Sequence, residues 1–234
     1  MRTDATVPGT VLAVYAHPDD PEVACGGSLA RWVDDGAVAH LVVVNRGEKG
    51  SPSADADPDA LAIARGAEVA EAAAVLGLAS FELLGYPDGE TENDLALRGR
   101  LVEIVRRLKP DAVVCPDPTA LYFGGGYVNH RDHRVCGYAT LDAVTPAAAS
   151  PLYFPDLGPA HQVGQVYLSG TLDPDTAVDI GAVLDRKSQA LACHRSQVGE
   201  EREWVTELVA QRSADAGRVL GLRHAEVFRV LRLA

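Results

Sequence analysis

The order of short apolar runs along the chain is the feature that most constrains its fold. Four largely apolar runs predict strands, at 10–16, 38–45, 80–85 and 111–116, and all but the third contain β-branched residues. Stretches with helical periodicity lie between them, at 21–36, 59–77 and about 93–109. Strands that alternate with helices are joined by right-handed crossovers and form a parallel sheet. Because the runs are apolar almost throughout, both faces of the sheet are expected to be buried. The sequence therefore predicts an α/β protein with a mostly parallel sheet flanked by helices on both faces.

The last third of the chain is less regular. Residues 146–162 are rich in proline and aromatic residues without a clear period, and we predict a long surface loop near a site. Short strands are predicted at 165–170 and 176–180, helices at about 182–194 and 200–216, and a final segment at 224–231. A length of 234 residues allows one or two domains at about 150 residues each. Since no internal repeat interrupts the pattern, we expect a single domain over 1–234.

Composition narrows the classes of partner. A formal net charge of −12 repels phosphate, so we expect neither nucleic acid nor an anionic membrane surface as a partner. The longest apolar runs, such as 41–44, are far shorter than the ~20 residues that a membrane helix needs. The first ten residues lack the plan of a signal peptide, and the four cysteines form no CxxC pair. We therefore expect a cytoplasmic protein with reduced cysteines.

Dense polar clusters follow the carboxyl ends of the predicted strands. They lie at 17–22, 45–50, 85–90 and 129–133. In an open parallel sheet these strand ends line one edge, where ligands bind. We therefore expect the four clusters to converge on one site.

The converging residues include a potential set of metal ligands. His17, Asp20 and His133 supply two imidazoles and a carboxylate, which suit a catalytic zinc ion with one position left for water. Taken singly, each element has a simpler explanation, because Pro-Asp sequences are common turns and two histidines three residues apart often arise by chance. Their combination at the ends of two strands favours a metal, with iron, manganese or cobalt as alternatives to zinc.

Asp19 and Asp20 are expected to have separate roles. Neighbouring side chains point in different directions, so one carboxylate can bind the metal while the other faces the attacking water as a general base. Two adjacent carboxylates repel each other unless a cation lies nearby. The pair is therefore itself a reason to expect a metal ion.

The motifs resemble those of a known family. The AHPDDPE sequence at 16–22 is similar to the AHPDD signature of the PIG-L/LmbE-like zinc deacetylases. Further landmarks occur in family order, namely RGEKGS at 46–51, LGYPDGE at 84–90, HRDH at 130–133 and KSQALACHRSQ at 187–197. The resemblance spans roughly residues 10–200. It implies a Rossmann-like sheet, one zinc ion per chain, and removal of an acetyl or larger acyl group from the amine of an N-acylated amino sugar.

The resemblance also assigns roles to individual residues. The implied metal ligands are His17, Asp20 and His133. Asp19 matches the general base, which afterwards protonates the leaving amine, and His130 matches the residue that stabilises the oxyanion. Asp132 is expected to orient His130.

Four further residues match positions that contact the sugar, namely Arg46, Glu48, Arg65 and Asp88. Arg65 and Glu68 have helical spacing, so a solvated ion pair is the alternative for Arg65. Asp88 is also a natural turn residue. Glu22 either supports the site or favours the start of a helix through the helix dipole.

Other residues are left open by the sequence. His194 and Gln197 match a late motif of the family that packing or a subunit contact explains as well as catalysis does. Tyr122 and Tyr127 flank a glycine-rich stretch and can close over a ligand. A small-molecule substrate and a possible homo-oligomer are the implied partners.

Two alternative functions remain at this stage. One is an amidase that uses the same site on a thiol conjugate or an antibiotic-pathway intermediate. The other is a non-catalytic sugar- or nucleotide-binding module. The sequence disfavours the binding module, because no GxGxxG follows the first strand and a binder has little use for Asp19 beside a metal ligand.

Overall fold

The computed structural model describes residues 1–199 and 203–233. The strands are β1 Arg2–Thr3, β2 Thr10–Tyr15, β3 Val38–Asn45, β4 Ser80–Tyr86, β5 Ala112–Pro116, β6 Tyr122–Phe123, β7 Tyr127–Val128, β8 Gln165–Ser169, β9 Thr176–Asp179 and β10 Ala225–Arg232. The α-helices are α1 Asp20–Ala24, α2 Gly26–Asp34, α3 Pro58–Leu76, α4 Leu95–Leu108, α5 Arg131–Asp142, α6 Leu184–Leu191, α7 Arg195–Val198 and α8 Glu203–Gly217.

Eight of the strands form one sheet in the order β1-β9-β10-β8-β5-β2-β3-β4. The central strand β2 runs parallel to β3 and β5, and Ala13 lies opposite Leu41 and Val114. The strands β4 and β8 extend this parallel sheet on either side, whereas β10 is antiparallel to both β8 and β9. The predicted α/β fold with a mostly parallel, Rossmann-like sheet is confirmed.

The chain reverses its direction of travel across the sheet between β2 and β5. From β2 it proceeds through β3 to the edge strand β4, and then returns to β5 on the other side of β2. In an open α/β sheet, such a switch point leaves a crevice at the carboxyl ends of the two strands. The fold therefore provides a ligand site after Tyr15 and after Pro116.

The core lies on both faces of the sheet. Alternate residues of β2 point to opposite sides, so that Val11 and Ala13 belong to one apolar cluster and Leu12 and Val14 to the other. Helices α2, α3 and α6 contribute to the first cluster, and α4 and α5 contribute to the second. These two cores explain why β2, β3 and β5 are apolar almost throughout, as the sequence predicted. The edge strand β4 differs, because none of its residues is buried.

Several helix boundaries differ from the predictions. The helix predicted at 21–36 is divided into α1 and α2 at Cys25, whose φ of −145° is not helical. The helix predicted at 182–194 ends as an α-helix at Leu191 and is followed by the short α7. The start of the helix predicted at 200–216 falls on 200–202, which lie outside the described residues.

The segment 146–162 wraps around a buried arginine. The guanidinium of Arg106, on α4, donates hydrogen bonds to six backbone carbonyl oxygens, those of Ala147, Ala148, Ser150, Tyr153, Phe154 and Gly158. These carbonyl dipoles stabilise the buried positive charge. His161 Nε2, in this segment, lies 2.9 Å from Pro110 O, just before β5, at the sheet edge opposite the carboxyl ends of the parallel strands. No residue of 146–162 lines the cavity described below. The expectation that this loop lies near the site is therefore wrong.

Within the described ranges, no helix has the length and apolar character needed to cross a membrane.

Candidate active site

The polar clusters predicted to converge do meet at the switch point. His17 follows β2, Asn45 ends β3, Asp88 and Gly89 follow β4, and Asp132 lies in the first turn of α5. The Asp132 carboxylate connects three of these segments. Its Oδ2 lies 3.3 Å from His17 Nε2, accepts the Asn45 amide at 3.1 Å and accepts the Gly89 backbone N–H at 2.6 Å.

Three side chains form a compact donor set. His17 Nδ1 lies 3.2 Å from His133 Nε2 and 3.4 Å from Asp20 Oδ2. His133 Nε2 lies 3.2 Å from Asp20 Oδ1. Ligand atoms at the usual zinc distances of about 2.0–2.2 Å in a tetrahedral arrangement lie roughly 3.3 Å apart. The spacing of the three side chains therefore fits a tetrahedral ion of that size.

Hydrogen bonds to the far side of each imidazole determine which ring nitrogen of His17 and of His133 carries the hydrogen. The Asn129 amide donates to Ala120 O, so its Oδ1 faces His133 Nδ1, at 3.0 Å. An oxygen acceptor at that position requires His133 Nδ1 to carry the hydrogen. His17 Nε2 likewise faces two carboxylates, Asp132 Oδ2 and Asp88 Oδ1 at 3.2 Å. In the neutral rings, His17 Nδ1 and His133 Nε2 then point bare lone pairs at Asp20, as metal ligands do.

The pKa shifts of His17 and Asp20 also indicate that a positive charge is stabilised within the donor set. Burial alone lowers the pKa of His17, but contacts with the carboxylates of Asp132, Asp20 and Asp88 raise it to about 12. Burial raises the pKa of Asp20, but His133 and His17 hold it well below its usual value. The site therefore favours a positive charge among these groups, which a metal ion would provide in place of protons.

A second group, His17, His130 and Asp132, also brings ligand atoms within 4.8 Å of one another. In that group Asp132 Oδ2 already accepts from the Asn45 amide and the Gly89 N–H, and it faces His17 Nε2. The group of His17, Asp20 and His133 is the better candidate, because its two ring nitrogens face Asp20 with bare lone pairs. Of the Asp20 oxygens, only Oδ2 also accepts the His17 backbone N–H, at 2.8 Å, among the described residues.

Asp19 lies beside the donors but points elsewhere. Its φ of 95° is in the left-handed region, an uncommon conformation for a residue with a side chain, and such outliers cluster at functional sites. Asp19 Oδ1 lies 3.1 Å from Nη2 of the buried Arg65, which also donates to the Pro18 and Gly47 carbonyls. Burial and the neighbouring Asp20 raise the pKa of Asp19 to about 7, against the opposing charge of Arg65.

His130 is not part of the helix that contains His133. It is the N-cap of α5, and its Nδ1 accepts the backbone N–H of Asp132 at 3.2 Å. Burial and the nearby His17 lower the pKa of His130. The neutral ring then carries its hydrogen on Nε2, which is free to donate.

The expected contact between Asp132 and His130 is not the one that the structure forms. The Asp132 carboxylate lies 3.9 Å from His130 Nδ1 but 3.3 Å from His17 Nε2. Asp132 thus contacts His130 as expected, but through its backbone N–H, while its carboxylate orients His17 instead.

The four predicted sugar contacts lie around this centre in different environments. Glu48 Oε1 accepts the Asp88 backbone N–H at 3.0 Å, and the His17 contact lowers the pKa of the buried Asp88. Asp88 is thus both a turn residue and a site residue. Arg46 is half-exposed and forms an ion pair with Asp59.

The alternative explanation for Arg65 is wrong, because Arg65 and Glu68 are both buried and do not pair with each other. Glu68 accepts hydrogen bonds from the backbone N–H and the hydroxyl of Ser196, each at 2.7 Å.

Glu22 Oε2 lies 3.0 Å from Nε2 of the fully buried His194. Glu22 is therefore paired with the N-cap of α7, in addition to lying in the first turn of α1.

Sequence reasoning missed Asn45. This buried residue donates from Nδ2 to Pro87 O, Thr91 Oγ1 and Asp132 Oδ2 at 2.9, 2.5 and 3.1 Å. It therefore connects the loop after β4 to the Asp132 carboxylate. The available signal was a polar residue that ends an otherwise apolar strand directly before the RGEKGS motif.

A cavity of about 760 Å³ reaches the donor set. Asp19, Asp20 and His133 line one part of it, and α8 and the β6–β7 hairpin line others. Tyr127 is among the lining residues, whereas Tyr122 is not. This volume lies within the range of about 300–1,000 Å³ that is typical of ligand pockets.

A Rossmann-like sheet with histidine and aspartate side chains at its switch point is the architecture of an α/β enzyme. Residues 12–144 match the family described as PIG-L, GlcNAc-PI de-N-acetylase. This match covers more than half of the 234 residues, and the chain therefore belongs to the PIG-L family. The resemblance seen in the sequence is confirmed.

Individual relatives are deacetylases. The 1D-myo-inositol 2-acetamido-2-deoxy-alpha-D-glucopyranoside deacetylase 2 of Saccharopolyspora erythraea is 34% identical over 80% of this chain and 83% of that protein. Diacetylchitobiose deacetylase of Thermococcus kodakarensis is 29% identical over 82% of this chain and 71% of that protein. The structure of N,N'-diacetylchitobiose deacetylase from Pyrococcus horikoshii is similar with a TM-score of 0.86 and 27% identity, covering 96% of this chain and 84% of that chain.

Proposed function

We propose that this protein is a zinc-dependent deacetylase that removes an acetyl or larger acyl group from the amine of an N-acylated amino sugar. The observation that carries the proposal is the convergence of lone pairs from His17, His133 and Asp20 within 3.4 Å, directly beside Asp19. Membership of the PIG-L family and the deacetylase relatives support the reaction type.

In this proposal His17, Asp20 and His133 hold one zinc ion per chain. Such an ion, when bound, polarises an acyl carbonyl and brings the pKa of a water molecule towards about 7. Asp132 and Asp88 fix His17 in the tautomer that presents Nδ1, and Asn129 does the same for Nε2 of His133. The chain's own contribution at this point is therefore the orientation of the donors.

Asp19 is the proposed general base. It removes a proton from the attacking water and afterwards transfers a proton to the nitrogen of the leaving amine. Arg65, which is held by two backbone carbonyls, fixes the orientation of the Asp19 carboxylate. The same carboxylate thus accepts the proton from water and later donates a proton to the leaving amine.

His130 is the proposed donor to the oxyanion. Because its Nδ1 accepts the Asp132 N–H, its Nε2–H is available for the negative charge that develops on the acyl oxygen. Arg46, Glu48, Arg65 and Asp88 are the proposed contacts of the sugar. Among these, the Glu48–Asp88 and Arg65–Asp19 hydrogen bonds link the sugar-binding region to the reacting groups.

The test combines metal analysis with an amine-release assay on a panel of N-acetylglucosaminides. We expect about one zinc ion per purified chain, release of free amine, and loss of both in His133→Ala. His40→Ala is the matched control, because His40 lies on β3 and contacts Ser80 rather than the site. Purified protein that holds no divalent metal, or that releases no amine from any N-acylated amino sugar, would contradict the proposal.

A further inference from the structure

Arg212 is a basic side chain in the wall of the cavity that reaches the donor set. It lies on α8 and lines the same cavity as Asp20 and His133. Its side chain is exposed, and it forms no hydrogen bond or ion pair with the residues of 1–199 or 203–233. A guanidinium presents five N–H donors in a planar fork that matches carboxylate and phosphate oxygens.

The other basic side chains of the wall already have partners. Lys187 Nζ donates to Val23 O at 2.9 Å and to Glu226 Oε1 at 2.5 Å. The Glu226 carboxylate also accepts the backbone N–H groups of Gly27 and Ser28, at the start of α2, at 2.9 and 2.7 Å. The charges of Lys187 and Glu226 therefore compensate each other, and neither remains for a ligand.

The wall near the donor set is acidic rather than basic. Asp20 faces His17 and His133, Asp19 faces Arg65, and His133 is one of the three donors. Among the basic residues that line the cavity in the described part of the chain, only Arg212 is left without a partner. In a chain with a net charge of −12, this position is the part of the wall that attracts an anion.

The cavity also offers space beyond the proposed sugar contacts. Arg46, Glu48, Arg65 and Asp88 do not line it, although it reaches Asp19 and the donors. Next to Arg212, the side chain of Ser213 is buried and lines the cavity without a hydrogen bond to another described residue. A substrate held at the donors can therefore extend to α8 through a region that these four residues do not contact.

We propose that Arg212 binds a negatively charged group, a carboxylate or a phosphate, on the part of the substrate that occupies this cavity. The inference rests on the proposed deacetylase function and narrows its substrate class to anionic N-acylated amino sugars. The charge has two possible sources, an acyl group that ends in a carboxylate or an acidic substituent on the sugar. Both sources present the same oxygen chemistry to the guanidinium.

The test measures binding separately from turnover. In an Asp19→Asn background, which keeps the three donors, calorimetry compares N-acetylglucosamine with N-succinylglucosamine and with the 1- and 6-phosphates of N-acetylglucosamine. We expect at least one anionic probe to bind about tenfold more tightly than the neutral sugar, as hydrogen bonds to a charged group typically allow. Arg212→Ala should abolish this preference, and added salt should reduce it.

Arg218→Ala is the matched control, because Arg218 follows α8, pairs with Asp215 and does not line the cavity. It should retain the wild-type preference. A tighter N-succinyl probe identifies the acyl group as the source of the charge, and a tighter phosphate identifies the sugar. Equal binding of charged and neutral probes, or a preference that survives in Arg212→Ala, would overturn the inference. Failure of the deacetylase proposal is seen separately, as an absence of amine release by the protein with Asp19 intact.

Discussion

Two parts of the site differ in how completely their polar groups are satisfied. At the donor set, His17 and Asp132 are buried, and contacts with Asn45 and the Gly89 backbone hold the Asp132 carboxylate in place. In the rest of the cavity wall, Arg212 and Tyr127 are exposed side chains on α8 and the β6–β7 hairpin. This difference indicates that the strand ends of the sheet position the reacting groups, whereas α8 and the β6–β7 hairpin determine which substrates bind.

This division follows from the order of the strands. The switch point between β2 and β5 brings four strand ends together, so the donor set is fixed by the same packing that forms the two cores. Helix α8 and the hairpin contribute less to those cores. Substitutions at the donor set should therefore affect turnover or metal binding, and substitutions in α8 or the hairpin should affect substrate affinity.

The largest effect is expected at Asp19. Asp19→Asn keeps the shape of the side chain but removes the base, so kcat should fall about 100- to 10,000-fold. Metal content should remain at the wild-type level, because His17, Asp20 and His133 are unchanged. Kinetics together with metal analysis of the same preparation check both expectations. Loss of the metal in this variant would place Asp19 among the ligands instead.

His130→Ala is expected to have the next largest effect. Removal of the Nε2–H donor should lower kcat about 100- to 1,000-fold, the usual consequence of losing one oxyanion donor. The variant should keep its metal. The His133→Ala variant, changed only three residues further along the chain, should lose it, because His133 is one of the three proposed metal ligands. Wild-type turnover in His130→Ala would show that the ring has no role at the oxyanion.

The sheet and the donor set could be predicted from the sequence because each leaves a local signal. Continuous apolar runs are typical of strands buried on both faces, and clusters such as 17–22 directly follow them. The division of the first helix at Cys25 has no comparable signal, since it depends on how α1 and α2 pack against the sheet. The role of Arg106 could not be predicted either. Nothing in its neighbouring sequence shows that its guanidinium donates hydrogen bonds to backbone carbonyls of a segment some forty residues away.

The target of the Asp132 carboxylate could not be predicted either. In the sequence, Asp132 is two residues from His130 and 115 residues from His17, so the nearer histidine was the obvious partner. The N-cap geometry of His130 leaves its ring in contact with the Asp132 backbone, while the carboxylate turns towards β2 and β3. Tertiary packing therefore determined the pairing.

A smaller effect is expected at Asp132 itself. Asp132→Asn should weaken zinc binding about 10- to 100-fold, because the tautomer and orientation of His17 depend on this carboxylate. Chelator competition measures the affinity directly. Asp117→Asn is the control, since Asp117 is also a buried aspartate at the carboxyl edge of the sheet but contacts Thr119 rather than a histidine. Equal metal affinity in the Asp132→Asn variant and the wild type would show that Asp88 alone is sufficient to orient His17.

The smallest effect is expected at the hairpin, where two similar tyrosines allow a matched comparison. Both are about half exposed, but Tyr127 lines the cavity and Tyr122 does not. Tyr127→Ala should raise KM roughly two- to tenfold with little change in kcat, the range expected when one aromatic contact is lost. Tyr122→Ala should leave KM close to the wild-type value. Equal effects of the two substitutions would mean that the hairpin acts as a unit, and the distinction between the donor set and the peripheral elements would then rest on α8 alone.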